Sequence, residues 1–514
     1  MKKIIAILIT LAALLAAIAG CTPTDIIDPN ESRPPANGIL GDGAAGYGVM
    51  TLAYNHSDSL NPYTAVTRHN RRLATLMFDS LVMLDENIEP IYSLAEDITI
   101  NGRECTIRIR SAVFSDGTPV TAEDVRDSIN SARNSEGRFA EQAANIESVR
   151  AANSTTVVIR LREEDPHFIN MLDFPIYKRG TANRRDEDSR ELPPIGSGRY
   201  VYQIVDGQPR LMANYRWRGN EPGVAEILLI STPDDEALNH NLSMGAISIY
   251  YTDAIDGAVP RMPGSIRRVS LNNIVFLGVN SARVDNHHMR RAISFAIDRA
   301  AISQNDFNLN AQPATGLFNP SWGRHRNFQI LNERAAAELA IAQLAEAGYT
   351  QRNSDGYFIE DSGRLSLSLL VNEENAMRVA AAESISVQLR RAGIEIELIS
   401  LPMAEYLSRL RGGNFDLYIA EVGIPKNMDM SAVIIPGGAA AYGISANSPT
   451  AAAYLEYRAG DIDSEEFMSV FEEDLPIIPI GYRLGILSYS NRISGSPTAT
   501  LSDIFFNIDS YTFN

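Results

Sequence analysis

The sequence predicts an α/β fold in which helices cover a mainly parallel sheet, and three observations support this class. A strand–helix–strand–helix–strand pattern occupies residues 364–422. Two further segments, 289–303 and 333–347, carry apolar residues at helical spacing. The length of 514 residues allows two to four domains, each with a core of its own.

The elements of the pattern are bounded by glycine. In order, they are a strand at 364–371, a helix at 374–391, a strand at 394–401, a helix at 403–411 and a strand at 415–422. Gly393 follows the first helix and Gly412 follows the second, at the positions where glycine ends helices. Strand 394–401 alternates aliphatic residues with glutamates, which predicts one buried and one exposed face.

Two additional helices are predicted at 289–303 and 333–347. The first places Ile293, Ala296 and Ile297 on one face, and this apolar stripe predicts packing against a core. The second follows Asn332 as its N-cap and precedes Gly348 as its end.

The N-terminus has the features of a secretory signal. Lys2 and Lys3 precede an uncharged apolar run at 4–18, which is shorter than the roughly 20 residues of a membrane-spanning helix. The run ends in Ile18-Ala19-Gly20-Cys21, which resembles a bacterial lipobox. We therefore predict a lipoprotein signal peptide at 1–20, a lipid on Cys21 and a location on the outer face of the cytoplasmic membrane. Residues 21–46, rich in proline and glycine, predict a flexible tether.

Composition excludes one class of partner. The chain has 63 acidic and 45 basic residues and a net charge of −18, whereas nucleic-acid binding requires clustered cations. The chain has 2 cysteines, and lipidation of Cys21 would leave Cys105 without a disulfide partner. Cys105 alternates with Ile107 and Ile109, which predicts a small core residue on a strand.

The sequence contains no recognisable catalytic or metal motif. It lacks HExxH, GxSxG, Walker A and SxxK patterns. His287 and His288 lie near Asp285, but adjacent residues at a helix start point in different directions, which favours a solvated turn. We therefore predict no enzyme activity, no catalytic residue, no metal ligand and no cofactor.

The strand pattern itself locates a candidate site. In open α/β sheets, ligands bind beyond the carboxyl ends of the strands. Those ends are Asn372-Glu373, Leu401-Pro402 and Glu421-Val422-Gly423. Two alternatives remain open at this point: these residues contact a ligand, or they only solvate loop tips.

Several segments in consistent order resemble one family. They are Leu60-Asn61-Pro62 and residues 76–84, 93–96, 105–125, 194–200, 289–302 and 474–483. The most specific is Phe114–Pro119 followed by Thr121–Val125, in which Thr121 caps a helix with acids in its first turn. These segments resemble the extracellular solute-binding proteins, family 5, of ABC importers, a group that includes oligopeptide-, dipeptide- and nickel-binding lipoproteins.

The resemblance implies a large two-lobed fold of the periplasmic-binding-protein type, with crossing strands between the lobes and an extra α/β subdomain in the N-terminal lobe. Lobe I would contain residues 47–79, 191–280 and 480–514, the subdomain residues 80–190, and lobe II residues 281–479. It implies a monomer whose lobes close on a solute and which delivers it to permease and ATPase subunits, with a short peptide as the leading solute. A peptide-sensing receptor and a nickel or metal-chelate carrier are the alternatives, and a secreted hydrolase is disfavoured.

One departure from the family affects the ligand. Peptide-binding members commonly carry a Trp and an Asp beyond the strand that matches 415–422, and this Asp receives the peptide's α-ammonium group. Residues 422–429 lack the Trp and lack an Asp at the position where the family carries it. Either Glu421 or Asp429 replaces the carboxylate, or Asp429 caps the next helix and Glu421 faces solvent; in the second case Lys426 favours an anionic solute.

The candidate ligand-binding residues come from the strand ends, the altered loop and neighbouring family motifs. Gly438 is included because bare backbone can approach a ligand. The full set is Tyr63, Trp322, Asn372, Glu421, Val422, Lys426, Asn427, Met428, Asp429, Gly438 and Tyr442.

Overall fold

A computed structural model of the protein describes residues 48–254, 257, 259–323, 333–360 and 363–514. Within these residues the strands, β1 to β21, are Met50–Tyr54, Val82–Leu84, Pro90–Tyr92, Ala95–Asn101, Glu104–Ile109, Ile146–Ala151, Thr156–Leu161, Tyr200–Val205, Gln208–Ala213, Glu226–Ser231, Ile249–Thr252, Ser265–Val279, Ala311–Pro313, Ile359–Glu360, Gly363–Arg364, Ser366–Asn372, Glu395–Leu401, Leu417–Gly423, Ile477–Tyr489, Ile493–Ser494 and Thr512–Phe513. The α-helices, α1 to α12, are Arg68–Met77, Ala122–Arg133, Arg138–Gln142, Asp235–Ser243, His287–Ala296, Arg299–Asn305, Glu333–Glu346, Ala376–Ala392, Met403–Arg411, Ser431–Ile434, Pro449–Ala459 and Ser464–Asp474.

The largest sheet has seven strands and is mixed, not mainly parallel as the sequence predicted. Its strand order is β11-β19-β12-β18-β16-β17, with β13 paired to β19. Only β16 pairs in parallel with its neighbours, β17 and β18. The remaining pairs are antiparallel, because the chain runs along β12 in one direction and returns along β19 in the other.

Two smaller sheets build the other lobe. One has the order β1-β10-β9-β8, and the other, with the order β4-β5-β7-β6, is antiparallel throughout. Side chains from both sheets share one apolar core, including Met50, Ile107 and Leu211. The molecule is therefore a two-lobed α/β protein in which β12 and β19 join the lobes. The residue boundaries predicted for the lobes and the subdomain stay predictions.

The pairing between the two crossing strands has its longer interruption after Ser270, and a shorter register shift follows between Val275 and Phe276. Ser270 of β12 pairs with Leu484 of β19, and the next pair along β12 is Ile274 with Tyr482. Residues 271–273 therefore have no partner in β19. The ladder between the lobes is interrupted at this bulge.

The predicted pattern at 364–422 is confirmed in order and type, with bounds shifted by a few residues. Gly393 ends α8 with φ of 99°, in the left-handed region that favours glycine. One prediction was wrong: the segment 289–303 forms two helices, α5 and α6. The Asp298 side chain accepts a hydrogen bond from the Ala301 N–H and so starts a new helix. Asn332 lies outside the described residues, and Gly348 follows α7 with φ of 95°.

Cys105 is a core residue, as predicted. Its side chain is fully buried on β5 beside Ile107, and burial raises the pKa of its thiol to about 12. At the start of α2, the Asp124 carboxylate accepts a hydrogen bond of 2.9 Å from the Thr121 N–H. The family motif around these residues therefore has a structural role.

The C-terminal tail is fastened to the first lobe by Arg199. The guanidinium forms an ion pair with the Asp503 carboxylate, and the two side chains are 5% and 3% exposed. It also donates to the carbonyls of Phe505 at 3.0 Å and Phe506 at 3.1 Å. A buried cation thus holds three points of the tail.

Gly198 is expected to tolerate no side chain. A Cβ atom at this position would lie 2.4 Å from the carbonyl carbon of Met77, at the end of α1. We expect Gly198→Ala to lower the free energy of unfolding by about 1–3 kcal/mol, because packed backbone must move apart. Urea denaturation measures the loss. A matched Gly48→Ala variant, with nothing within 4 Å of the added atom, should change stability little; equal losses in both variants would contradict the packing argument.

Candidate functional site

The carboxyl ends of β16, β17 and β18 meet at one edge of the large sheet. Asn372 ends β16 with 3% exposure, and its Nδ2 lies 3.5 Å from the Leu401 carbonyl at the end of β17. The Oδ1 atom of Asn372 is buried without a hydrogen-bond partner among the described residues. Such an acceptor is rare in a protein interior. It is thus available to a donor that the protein itself does not supply.

Glu421 lies near the end of β18 in a buried ion-pair network. Its side chain is 3% exposed, and Oε2 is 3.1 Å from Nη1 of Arg483 and 3.5 Å from Nη1 of Arg378. Oε1 accepts a hydrogen bond of 3.2 Å from Asn273. The alternative in which Glu421 faces solvent was therefore wrong, because two cations and an amide hold the carboxylate inside.

Arg483 connects the two lobes at this point. It is fully buried, and its guanidinium donates to the carbonyls of Asn310 at 3.2 Å and Ala254 at 2.7 Å in addition to Glu421. Ala254 follows β11, whereas Glu421 belongs to β18. The Arg483 of the sequence motif Tyr482-Arg483 is thus a buried cation on the crossing strand β19 that binds residues of both lobes.

Asp429 binds the start of the next helix, as one of the two alternatives predicted. Its Oδ1 accepts hydrogen bonds from the Ser431 N–H at 2.9 Å and from the Tyr454 hydroxyl at 3.0 Å. Burial acts to raise the pKa of Asp429, but the hydrogen bonds from Ser431 and the charge of Arg458 hold it below its ordinary value. The carboxylate is therefore engaged inside the protein.

The loop after β18 contacts the N-terminal lobe through charged and polar groups. The Lys426 ammonium forms an ion pair with Asp173, and Asn427 donates a hydrogen bond of 2.6 Å to Asp165. Arg458 lies 3.1 Å from the same Asp165 carboxylate. Burial alone would raise the pKa of Asp173, yet Lys426 holds it below its usual range. Lys426 is thus held between the lobes by a carboxylate from the opposite side.

Several other candidates have packing roles. Trp322 and Met428, 2% and 1% exposed, share one apolar cluster with Ile88 of the N-terminal lobe. Tyr63 is buried, and its hydroxyl donates to the Pro175 carbonyl at 2.7 Å. A Cβ at Gly438 would lie 2.4 Å from the Ser431 carbonyl oxygen, so the glycine allows α10 to pack.

Val422 and Tyr442 are half-buried. Tyr442 lies beside the fully buried Tyr418, with ring centroids 6.0 Å apart. The structure thus brings Glu421, Lys426, Asn427, Met428 and Trp322 to the junction of the lobes. Their contact with a solute stays a prediction.

Sequence reasoning missed a group of arginines on the N-terminal lobe. Arg68, Arg71 and Arg72 share one face of α1, because they are three and four residues apart. Arg138 begins α3, far away in sequence, and is exposed. The spacing on α1 was visible in the sequence, but the approach of Arg138 required the fold.

The described residues contain neither a membrane-spanning helix nor a metal-binding cluster. No helix among them is both long and apolar enough to cross a membrane. No cluster of three or more His, Cys, Asp or Glu side chains within the described ranges is arranged to hold a metal ion. His287 lies 3.2 Å from Glu473, and His288 contacts Gln343 at 2.9 Å.

The two α/β lobes, their crossing strands and the polar groups at their junction define a two-lobed binding protein. The model of the bacterial extracellular solute-binding proteins, family 5 (middle), matches residues 89–441, and the chain belongs to this family. The resemblance inferred from the sequence motifs is thereby confirmed. The family is described as extracellular and as solute-binding, in agreement with the predicted location outside the cytoplasm.

Named relatives include both peptide- and metal-related proteins. The oligopeptide-binding protein AppA of Bacillus subtilis (strain 168) is 24% identical over 433 residues, which are 80% of this chain and 78% of AppA. The unliganded open form of the periplasmic murein tripeptide binding protein MppA has a TM-score of 0.74 at 19% identity and covers 91% of this chain and 98% of its own. A nickel ABC transporter protein from Bacillus halodurans has a TM-score of 0.72 at 20% identity, covering 90% and 99%. At these identities the solved structures show the fold alone.

Proposed function

We propose that this protein captures short peptides between its two lobes and delivers them to the permease and ATPase subunits of an ABC importer. Membership of the solute-binding family supports the binding role, and the name of the relative AppA supports peptides as the solute. The single observation that carries the proposal is the buried, unpartnered Oδ1 of Asn372 at the sheet edge where ligands bind in open α/β folds. A peptide N–H is a suitable donor for it.

The peptide's α-ammonium group would be bound differently from the way the family resemblance implies. Both replacement carboxylates, Glu421 and Asp429, have internal partners. Asp173 is paired with Lys426, so an internal ammonium already occupies a carboxylate between the lobes. Recognition of the peptide backbone and of acidic groups therefore has more support than recognition of a free amine.

The proposal includes the attachment of the protein to the cell. A lipid on Cys21, after removal of residues 1–20, would hold a monomeric body at the outer face of the cytoplasmic membrane through the tether at 21–46. The lipobox resemblance of Ile18–Cys21 supports this anchoring. The net charge of −18 supports a body that stays away from an anionic membrane surface.

The solute is expected to remain bound through a gentle purification. We would express residues 22–514 without the lipid, purify the protein, denature it and identify released small molecules by mass spectrometry. A mixed set of short peptides is the expected result, because a site that binds peptide backbone accepts many sequences. Recovery of a single non-peptide solute or a metal chelate would contradict the peptide proposal.

A further inference from the structure

Arg68, Arg71 and Arg72 form a basic face on α1, and Arg72 also donates to the Tyr251 carbonyl and lies 4.6 Å from the centroid of the Tyr251 ring. Asn70, Leu73 and Met77 are among the residues that bury the opposite face of this helix in the core. Arg68 is 69% exposed, and Arg71 and Arg72 are half-buried. The Arg71 side chain makes one hydrogen bond among the described residues, from Nε to the Ala65 carbonyl at 2.8 Å.

Arg138 is next to this face and has no polar partner in the described part of the chain. Its guanidinium lies 4.4 Å from the ring centroid of Phe139, which itself packs edge-on against Tyr63 at 5.2 Å. Tyr63 is two residues before Ala65, the partner of Arg71. Desolvation by neighbouring protein atoms and the charge of Arg71 lower the pKa of Arg138, while the charge of Asp173 raises it. Arg71 and Arg138 are thus electrostatic neighbours with unfilled donors.

Contacts at both ends place this basic face near residues that connect the lobes. At one end, Arg68 lies 3.6 Å from Asp253, one residue before the Ala254 carbonyl that binds Arg483. At the other end, the charge of Arg138 lowers the pKa of both Asp173 and Lys426, and burial has the larger lowering effect on Lys426. Arg483 belongs to the crossing strand β19, and Lys426 belongs to the loop that follows β18. The arginines therefore lie on the N-terminal lobe close to its junction with the other lobe, within reach of a solute held there.

The local charge is opposite to that of the whole molecule. The chain carries a net charge of −18, yet four arginines gather here, and Asp253 forms an ion pair with one of them, Arg68, at 3.6 Å. Asp173 is already neutralised by Lys426. Like charges that lie close together repel one another, and an anion bound among them removes this repulsion. A planar guanidinium binds carboxylate through two parallel hydrogen bonds, which suits a carboxylate ligand.

We propose that Arg71 and Arg138 bind a carboxylate group of the solute, and that the protein prefers acidic peptides. Arg68 and Arg72 add to the positive potential that attracts such a solute. The inference rests on the proposed peptide-binding function and specifies the chemical class of the peptide.

The test compares three C-terminally amidated tetrapeptides by isothermal titration calorimetry: Ala-Glu-Glu-Ala amide, Ala-Gln-Gln-Ala amide and Ala-Lys-Lys-Ala amide. The amide removes the C-terminal carboxylate, so only the glutamate side chains can offer a carboxylate to the arginines. The protein is residues 22–514, stripped of carried-over solute by unfolding in guanidinium chloride and refolding. The acidic peptide should bind at least about tenfold more tightly than the neutral one, because charge-assisted hydrogen bonds are the stronger class. Arg138→Gln and Arg71→Gln should each weaken acidic-peptide binding about tenfold and leave neutral-peptide binding unchanged.

The controls separate the local effect of the arginines on binding from a general loss of charge and from unfolding. Arg150 is exposed on β6, away from the lobe junction and without a polar partner among the described residues, so Arg150→Gln removes the same charge without a binding effect. Arg138→Lys should retain part of the preference, since it keeps the charge but loses the two-pronged geometry. Circular dichroism melting verifies that each variant is folded.

The outcomes separate the inferred preference for acidic peptides from the proposed peptide-binding function. Equal binding of all three peptides, unchanged in both arginine variants, would overturn the acidic preference and leave peptide binding standing. If no peptide binds, the proposed function fails, and the same variants are titrated with citrate. Citrate binding that is lost in Arg138→Gln would support the carboxylate site alone, whereas the absence of citrate binding would overturn it.

Discussion

Replacing Glu421 by alanine is expected to lower the free energy of unfolding by about 3–5 kcal/mol. The substitution leaves Arg483 fully buried and Arg378 mostly buried without their carboxylate. An unpaired buried cation has lost its water without gaining a counter-charge, and the removal of one partner of a buried pair has effects of this size. Urea denaturation followed by circular dichroism measures the change.

Two further variants test whether the unpaired arginine charge causes the loss of stability. Glu397→Ala changes an exposed glutamate on β17 and should alter stability by less than about 0.5 kcal/mol. The double variant Glu421→Ala/Arg483→Met should be less destabilised than the sum of its single variants, because it removes the unpaired cation as well. Strict additivity of the two changes would contradict the ion-pair explanation.

Asp503→Ala is the second variant with a large expected effect, again about 3–5 kcal/mol. Arg199 would keep its hydrogen bonds to Phe505 and Phe506 but would lose its charged partner in a site where it is 5% exposed. Asp503 also accepts a hydrogen bond of 2.6 Å from the Thr75 hydroxyl, so α1 loses a contact with the tail. Thermal melting and limited proteolysis of the tail measure the result.

The proteolysis pattern distinguishes local from global loss. We expect cleavage in the region 490–514 to precede loss of the remaining chain, since Arg199 and Asp503 fasten that region. Asp461 is exposed, so Asp461→Ala provides a control aspartate. A cleavage pattern identical to that of the native protein, together with an unchanged melting temperature, would show that the buried pair does not hold the tail.

Local signals in the sequence predicted most helices and strands of the second lobe. Gly393 ends α8 with a left-handed backbone, and Gly413 adopts the same conformation two residues after α9. A strand's alternation depends only on neighbours two residues apart. The break between α5 and α6, which the sequence analysis did not predict, also has a local cause. Asp298 is an N-cap residue type within an apolar helical stretch. Such features need no knowledge of the rest of the chain.

Pairing between distant segments could not be predicted in the same way. The direction of β12 relative to β18 depends on the route of the chain between them, and no local pattern encodes it. The partner of Lys426 is Asp173, which lies 253 residues earlier in the chain. The burial of Glu421 likewise depends on Arg483 arriving from β19. The sequence therefore indicated which residues to consider at the site, and only the fold showed which of them already have partners.

The interrupted ladder between β12 and β19 has a consequence for the way this protein can be used as a sensor. Residues 271–273 have no partner in β19, so bending there breaks no hydrogen bond between these two strands. We expect each lobe to turn as an intact unit about this joint, with little change of its own interior. A donor and an acceptor dye on opposite lobes would then report solute capture as a change in energy transfer, whereas two dyes on one lobe would give a constant signal.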